Sequence, residues 1–389
     1  MKTVELFAGI GGFRLAAERF GCQTIWANDV CPKACAVYRD RFGVEELREG
    51  NFAHLQKEVP SHDLLTAGFP CQPFSSAGKK EGIRDARGTL FQSIVDVLRK
   101  HRPAVFILEN VKRLLTMERG CHFATILGAL AELDYVIEWR LLNALYFALP
   151  QNRERVFVVG KRCDGGPRWH RADVAPIRLA TADDLSHLSG WEREKLFDAD
   201  AWDDIVRHRS RFPSWGLAVS GRFFATDLKR FSSASPSVTL GSVLEPSVAE
   251  DFDFTESTLQ WLSSNKPVNR FVNGVEILSN QRGGARMGYT IFGIDGVAPT
   301  LTSTTSRHYE RYKVGERYRR LTNVEYARIQ GFPDDHCRAV SIYDQYTLFG
   351  NAVPPPMAQW VIGRLAGEGV SRTAIPLQTH NLTPFDHAI

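Results

Sequence analysis

Thr3-Val4-Glu5-Leu6-Phe7-Ala8-Gly9-Ile10-Gly11-Gly12-Phe13 begins with one hydrophobic period and ends in another. Residues 3–8 read as a buried strand, after which Phe13, Ala16, Ala17 and Phe20 fall at helical spacing. The glycines between them let the backbone turn tightly and approach a ligand, and a helix start favours an anionic group such as a carboxylate. A second strand, Thr24-Ile25-Trp26-Ala27, leads to Asp29, twenty positions after Gly9. An acid at that place in an open α/β sheet holds ribose hydroxyls. Arg14 occupies the third glycine slot of the Gly-x-Gly-x-x-Gly fingerprint, so the turn suits a single-nucleoside cofactor better than a dinucleotide.

Outward from this unit the alternation continues. Leu64 to Ala67 reads as a strand, Leu90, Ile94, Val97 and Leu98 as a helix, Ala104 to Leu108 as a short buried strand, and Arg155 to Gly160 as the last. Strands separated by helices imply crossover units, hence a doubly wound, mostly parallel α/β sheet. After Lys161 the chain turns rich in Gly, Ser, Pro, Arg and Trp. Pieces such as Ser237-Val238-Thr239-Leu240 and Tyr289-Thr290-Ile291-Phe292 suggest small strands between long loops. Helical order returns with Met357, Trp360, Val361 and Leu365 behind Pro354 to Pro356. The expected organisation is a first domain of residues 1–165 plus 340–370, an irregular β-rich insert at 166–339, and a polar tail at 371–389.

The 389 residues have an apolar share of 43%, ordinary for a globular chain. No apolar run is long enough to span a bilayer and no signal peptide precedes the first strand, so a cytoplasmic location is expected; a monomer is expected as well. Seven cysteines, odd in number and without a Cys-x-x-Cys pair, fit reduced thiols and no metal site. Net charge is only +4, but Arg307, Arg311, Lys313, Arg317, Arg319 and Arg320 cluster with Tyr309, Tyr312 and Tyr318 interleaved. That pattern suits a phosphate backbone.

Gly68-Phe69-Pro70-Cys71-Gln72-Pro73-Phe74-Ser75 sets a cysteine just past a strand end, in a turn stiffened by prolines and surrounded by polar groups. Such a thiol suits nucleophilic chemistry. Glu109-Asn110-Val111 ends another buried strand at the same sheet edge, where low solvation raises a carboxyl pKa and equips it to donate a proton. In Gln151-Asn152-Arg153-Glu154-Arg155, alternate arginines face opposite ways if extended, one toward the site and the other toward an acid.

These blocks, with Gln330-Gly331-Phe332-Pro333 and Gly350-Asn351-Ala352-Val353, resemble in their order the DNA (cytosine-5)-methyltransferase family across all but the middle and tail. The resemblance implies the doubly wound fold of S-adenosylmethionine-dependent methyltransferases. It implies that Cys71 adds to C6 of a flipped-out cytosine, that Glu109 holds or protonates N3, and that Arg155, with Arg153 nearby, binds O2. Phe7, Gly9, Gly11, Asp29, Asn51, Pro70 and Asn351 would line the S-adenosylmethionine site. The insert would recognise a specific double-stranded DNA sequence through Thr300 and Arg286, with Gln72, Ser75, Arg307, Arg311 and Lys313 also on DNA. A separate restriction endonuclease would be the habitual companion in a bacterial or phage setting. The family usually has Glu at position 29 and Asp at position 51, so Asp29 is a methylene short and Asn51 lacks the charge. Rival readings are a transfer-RNA methyltransferase, which usually lacks so long an insert; a catalytically silent DNA-binding module; and a nicotinamide oxidoreductase.

Overall fold

The computed structural model describes residues 1–70, 90–163, 179–228, 238–281, 290–302 and 310–365. Its first strand, β1 (Lys2–Leu6), is buried from Thr3 onward because it lies inside a ten-stranded sheet. It pairs in parallel with β2 (Gln23–Asp29) on one side and β4 (Leu64–Gly68) on the other. Beyond them β3 (Leu47–Glu49) and β5 (Val105–Val111) continue the parallel order. The chain thus runs outward from β1 through β2 to β3, then returns to the other side of β1. This makes the carboxyl ends of β1 and β4 the switch point, where open sheets leave a crevice for ligands.

Period-two alternation buries both faces. Leu65, Ala67, Phe106, Leu108, Val156 and Val158 pack with the helices α4 (Leu90–His101) and α5 (Cys121–Ala131). Leu64, Ile107, Phe157 and Val159 face the other way, onto α1 (Gly12–Glu18) and α11 (Pro355–Leu365). Each fully buried Leu or Phe contributes about 1.5–3 kcal/mol, so the double-sided core fixes the register of the central strands. Two further helices, α2 (Pro32–Phe42) and the short α3 (Phe52–Leu55), lie beside β2 and β3.

The sheet is mixed. Past β5 it runs antiparallel through β7 (Glu154–Arg162), β6 (Tyr135–Asn143), β9 (Trp215–Val219), β10 (Arg222–Thr226) and β8 (Asp203–Asp204). The β9–β10 connection is a tight hairpin, and such a turn can join only antiparallel strands. Ser220 and Gly221, both at positive φ, close the β9–β10 turn. β8, β9 and β10, which fall within the stretch read as an insert from 166, belong to the large sheet. The short α6 (Ala182–Ser186) and α7 (Gly190–Phe197) cover this extension. Arg140 of β6 and Asp184 of α6 form a buried ion pair there at 2.7 Å. Glu138 accepts hydrogen bonds from Trp215 Nε1 and the amides of Leu179 and Ala180.

The second sheet has the order β11 (Lys266–Val272), β12 (Val275–Asn280), β13 (Ile291–Phe292), β14 (Arg311–Val314) and β15 (Arg317–Arg319), with α8 (Glu256–Leu262) beside it in sequence. The strand expected at 237–240 is instead, in its described part, a lead into a 3₁₀ turn at Leu240–Val243. Phe292, Val297, Leu301 and Tyr312 share one apolar cluster with Ile10, Ala34 and Val37, and with α9 (Asn323–Gln330) and α10 (Ile342–Asn351). This cluster crosses the boundary expected at 339. Among the described residues no helix is long and apolar enough to cross a membrane.

Candidate active site

The turn after β1 is held in an unusual backbone. Phe7, Gly9 and Gly11 have φ of 53°, 56° and 81°, the first being a departure that few non-glycine residues tolerate. A β-carbon at Gly11 would overlap the Phe42 ring, and one at Gly12 the Val353 carbonyl. The glycines are therefore required by close approach from both sides. Asp29 at the end of β2 grips the same turn, its Oδ2 accepting from the Gly9 amide at 2.7 Å and its Oδ1 from the Cys31 amide at 2.8 Å. Burial raises the Asp29 pKa against these stabilising amides. Phe7 meets Phe52 edge-on at 5.6 Å, and Phe52 in turn packs against Trp26 at 6.1 Å. Asn51 caps α3 by accepting from the Ala53 amide at 3.0 Å.

Across the switch point, β4 runs into Phe69 and Pro70. Asn110 fixes this exit. Its Nδ2 donates to the Phe69 carbonyl at 3.0 Å while its Oδ1 accepts from the Val111 amide at 2.9 Å. Next to it, Glu109 is 8% exposed and receives the Arg155 guanidinium at 2.9 Å from Nε. Desolvation raises the Glu109 pKa, while the positive fields of Arg155 and Arg153 pull it down. A buried carboxyl so poised can hold a proton or a donor-bearing ring.

Phe7, Gly9, Asp29, Asn51, Pro70, Glu109, Arg155 and Asn351 all line one cavity of about 530 Å³. Its neighbours Cys31, Phe52 and Asn110 line it too. Gly11 shapes the turn from behind and does not line it. Cys71 follows Pro70 in sequence but lies outside the described residues, as do Gln72, Ser75, Arg286 and Arg307.

The expectation for the two arginines is corrected. Arg155 both reaches the cavity and pairs with an acid. Arg153 does neither: it is 1% exposed and donates to the carbonyls of Leu301, Gly350 and Ala352 at 2.9, 3.0 and 2.9 Å. Thr300 is also turned inward, its hydroxyl donating to the Asn152 carbonyl at 2.6 Å. Arg311 and Lys313 share one face of β14, opposite the buried Tyr312, away from the cavity lining. Arg311 stacks over Phe254 and Trp261 at 5.6 and 5.3 Å, and Lys313 lies 5.8 Å from the Tyr318 ring centroid.

Sequence reasoning does not reach Phe52, Asn110 or His336. The first two adjoin singled-out residues, which was the available signal. His336, fully buried, donates from Nε2 to the Ile10 carbonyl at 2.7 Å, and burial pushes its pKa down to about 4. It is neutral near pH 7 and pins the glycine turn from far along the chain. Among the described residues no group of three or more His, Cys, Asp or Glu side chains is arranged to hold a metal ion.

Comparison with known proteins agrees with this architecture. Residues 1–367 match the family model described as C-5 cytosine-specific DNA methylase. Type II methyltransferase M.BanI of Aneurinibacillus aneurinilyticus is 45% identical, the match covering 95% of this chain and 97% of that protein. M.HhaI of Haemophilus parahaemolyticus is 28% identical over 93% of each. The match to M.NgoBI of Neisseria gonorrhoeae, 45% over 159 residues, spans 41% of this chain and half of that relative. In fold, the S. pombe Dnmt2 methyltransferase superposes with a TM-score of 0.60 at 18% identity, covering 94% of this chain and 98% of that one. With a match spanning nearly its whole length, the chain belongs to the C-5 cytosine-specific DNA methylase family, the enzymes that methylate DNA cytosine at C5.

Proposed function

We propose that this chain transfers a methyl group from S-adenosylmethionine to C5 of a cytosine flipped out of a specific double-stranded DNA sequence, through a transient bond from Cys71 to C6. The observation that carries the reading is the meeting of two half-sites in one cavity. Asp29 and the turn at Phe7–Gly9 stand on one side, and Glu109 held by Arg155 stands on the other, beside Pro70. The cavity residues fit a nucleoside-bearing methyl donor. Asp29 offers carboxylate lone pairs for ribose hydroxyls, Phe7 and Phe52 an aromatic wall, and Asn51 an amide for the base edge. When bound, the donor supplies an electrophilic methyl group.

In this scheme Glu109 holds a proton at the pyrimidine N3 as the Cys71 thiolate attacks C6, offsetting the charge that develops on the ring. Arg155 keeps the Glu109 carboxyl oriented and presents its remaining N–H groups to O2. C5 then takes the methyl group, loses its proton to a base, and the C6–S bond breaks to return the thiolate. A base inside the stacked duplex cannot reach the cavity, so it is extruded at a cost of a few kcal/mol. By likeness to the Type II relatives, the enzyme would act beside a restriction endonuclease in a bacterial or phage-infected cytoplasm.

The test is covalent trapping. Duplexes carrying 5-fluorocytosine at the methylated position, mixed with S-adenosylmethionine and the enzyme, are expected to give a denaturation-resistant adduct. The Cys71→Ser variant should form none while still binding DNA and donor. An adduct on the serine variant, or none on wild type that methylates DNA, refutes the Cys71 route. Transfer to RNA alone would favour the transfer-RNA reading.

A further inference from the structure

Arg153 stands where three parts of the molecule converge, and its guanidinium donates to backbone carbonyls in two of them. Its Nη1 donates to the Leu301 carbonyl at 2.9 Å, in the connection between β13 and β14 of the second sheet. Its Nη2 donates to the carbonyls of Gly350 and Ala352, which flank the cavity residue Asn351. Two residues on, Arg155 holds Glu109.

The surrounding chain reinforces this junction. The Asn152 amide donates to the Ala298 carbonyl at 2.9 Å, and the Ala298 amide donates to the Pro150 carbonyl at 2.8 Å. Thr300 Oγ1 donates to the Asn152 carbonyl at 2.6 Å, and the Leu301 amide to Gln151 Oε1 at 3.1 Å. Residues 150–153 are thereby sewn to 298–301. From that seam Arg153 reaches across to residues 350–352.

We propose that Arg153 is a positioning residue that couples the seating of the recognition half on DNA to the donor end of the cavity at Asn351. The inference rests on the functional reading above. A guanidinium is a rigid plane, so displacement of the Leu301 carbonyl rotates the donors that hold Gly350 and Ala352. Both carbonyls turn together, and Asn351 between them moves with respect to Asp29 and Phe7. Lysine retains the charge but is a compact point donor on a flexible stem, unable to span three carbonyls in fixed directions. Coupling of this kind is reciprocal: DNA tightens the donor by the factor with which the donor tightens DNA.

The experiment uses the full chain with S-adenosylhomocysteine, which occupies the donor site without reacting. Its affinity is measured by calorimetry with and without a saturating substrate duplex, in wild type and in Arg153→Lys. Wild type should bind it at least about fivefold more tightly with DNA, the lower end of common coupling factors. In Arg153→Lys the ratio should fall within about twofold of unity, and kcat should fall more than either KM rises. A variant that folds and keeps the wild-type ratio overturns the proposal. A second measurement needs no variant. In wild type, hydrogen exchange at 350–353 should slow when duplex alone binds, and at 298–302 when S-adenosylhomocysteine alone binds. A wild type that binds both ligands and methylates DNA, yet shows neither coupling nor cross-protection, removes the inference and leaves the functional reading standing. Binding of neither ligand removes the functional reading, and the inference with it.

Discussion

Glu5 and Glu109 are both buried acids on adjoining parts of one sheet, yet their surroundings assign them different tasks. Glu109 faces the cavity and is paired with Arg155. Glu5, 1% exposed, accepts from the Tyr38 hydroxyl at Oε2, 3.0 Å away. Burial pushes its pKa up to about 8, outweighing Tyr38 and the Arg14 charge. The sign of the consequence follows. Between the ordinary glutamate value and about pH 8 the folded protein keeps this proton while the unfolded chain releases it. Stability therefore falls as pH rises through that window, with a slope approaching ~1.4 kcal/mol per pH unit. Glu5→Gln keeps an acceptor for Tyr38 and cannot ionise. It should match wild type near pH 5 and exceed it at pH 8 by up to a few kcal/mol in urea unfolding; parallel pH profiles for the two proteins would contradict this. Sequence pattern marked Glu109 by its place at a strand end and left Glu5 inside a strand, but it could not show the partners that set their charge. Their separation depends on Arg155, brought alongside only by antiparallel pairing of β5 with β7.

The parallel elements were legible because their apolar runs end at Gly, Pro or Asp, which set the turns at the switch point. Leu64 to Gly68, running on into Phe69-Pro70, shows this best. The antiparallel extension was hidden. Trp215–Val219 is wholly buried and so shows no alternation, and its Trp, Ser and Arg neighbours read as loop. Of the site, the strand ends were readable and the hydrogen bonds between them were not. Asn110 is the case in point: its amide joins the exit of β4 to that of β5, a contact 41 residues apart in sequence. Asn110→Ala leaves the Phe69 carbonyl without its donor and the Val111 amide without its acceptor, a loss of about 1–3 kcal/mol in stability. Because Phe69 and Pro70 lead directly to Cys71, kcat for DNA methylation should drop about 10- to 100-fold while S-adenosylhomocysteine affinity stays within about threefold. Steady-state assays and calorimetry read these separately. If affinity collapses while kcat holds, Asn110 serves the donor site instead.

At the scale of the molecule, a net charge of +4 over 389 residues gives no strong field, so DNA affinity must come from local placement. The basic stretch that looked uniform in sequence is divided by the fold. Arg317 pairs with Asp253 at 2.9 Å and Arg319 with the buried Glu325 at 2.7 Å. Arg320 lies over Phe252 at 4.8 Å. Alternation along β14 puts Lys313 with Arg311 on the face away from the Tyr312 core, backed by Tyr318 and clear of these ion pairs. A cation already neutralised by a carboxylate releases few phosphate counterions, whereas one that meets phosphate adds about 0.9 to the salt slope. Lys313→Gln should therefore weaken binding to all duplexes and lower the slope of log affinity against log salt by about 0.9. Arg317→Gln should leave the slope unchanged and reduce stability instead. Fluorescence anisotropy between 50 and 200 mM salt, roughly the range over which such slopes are resolved, separates the two. A slope lowered by Arg317→Gln and untouched by Lys313→Gln would mean that Asp253 gives up its arginine on DNA, and that the β14 face lies outside the contact.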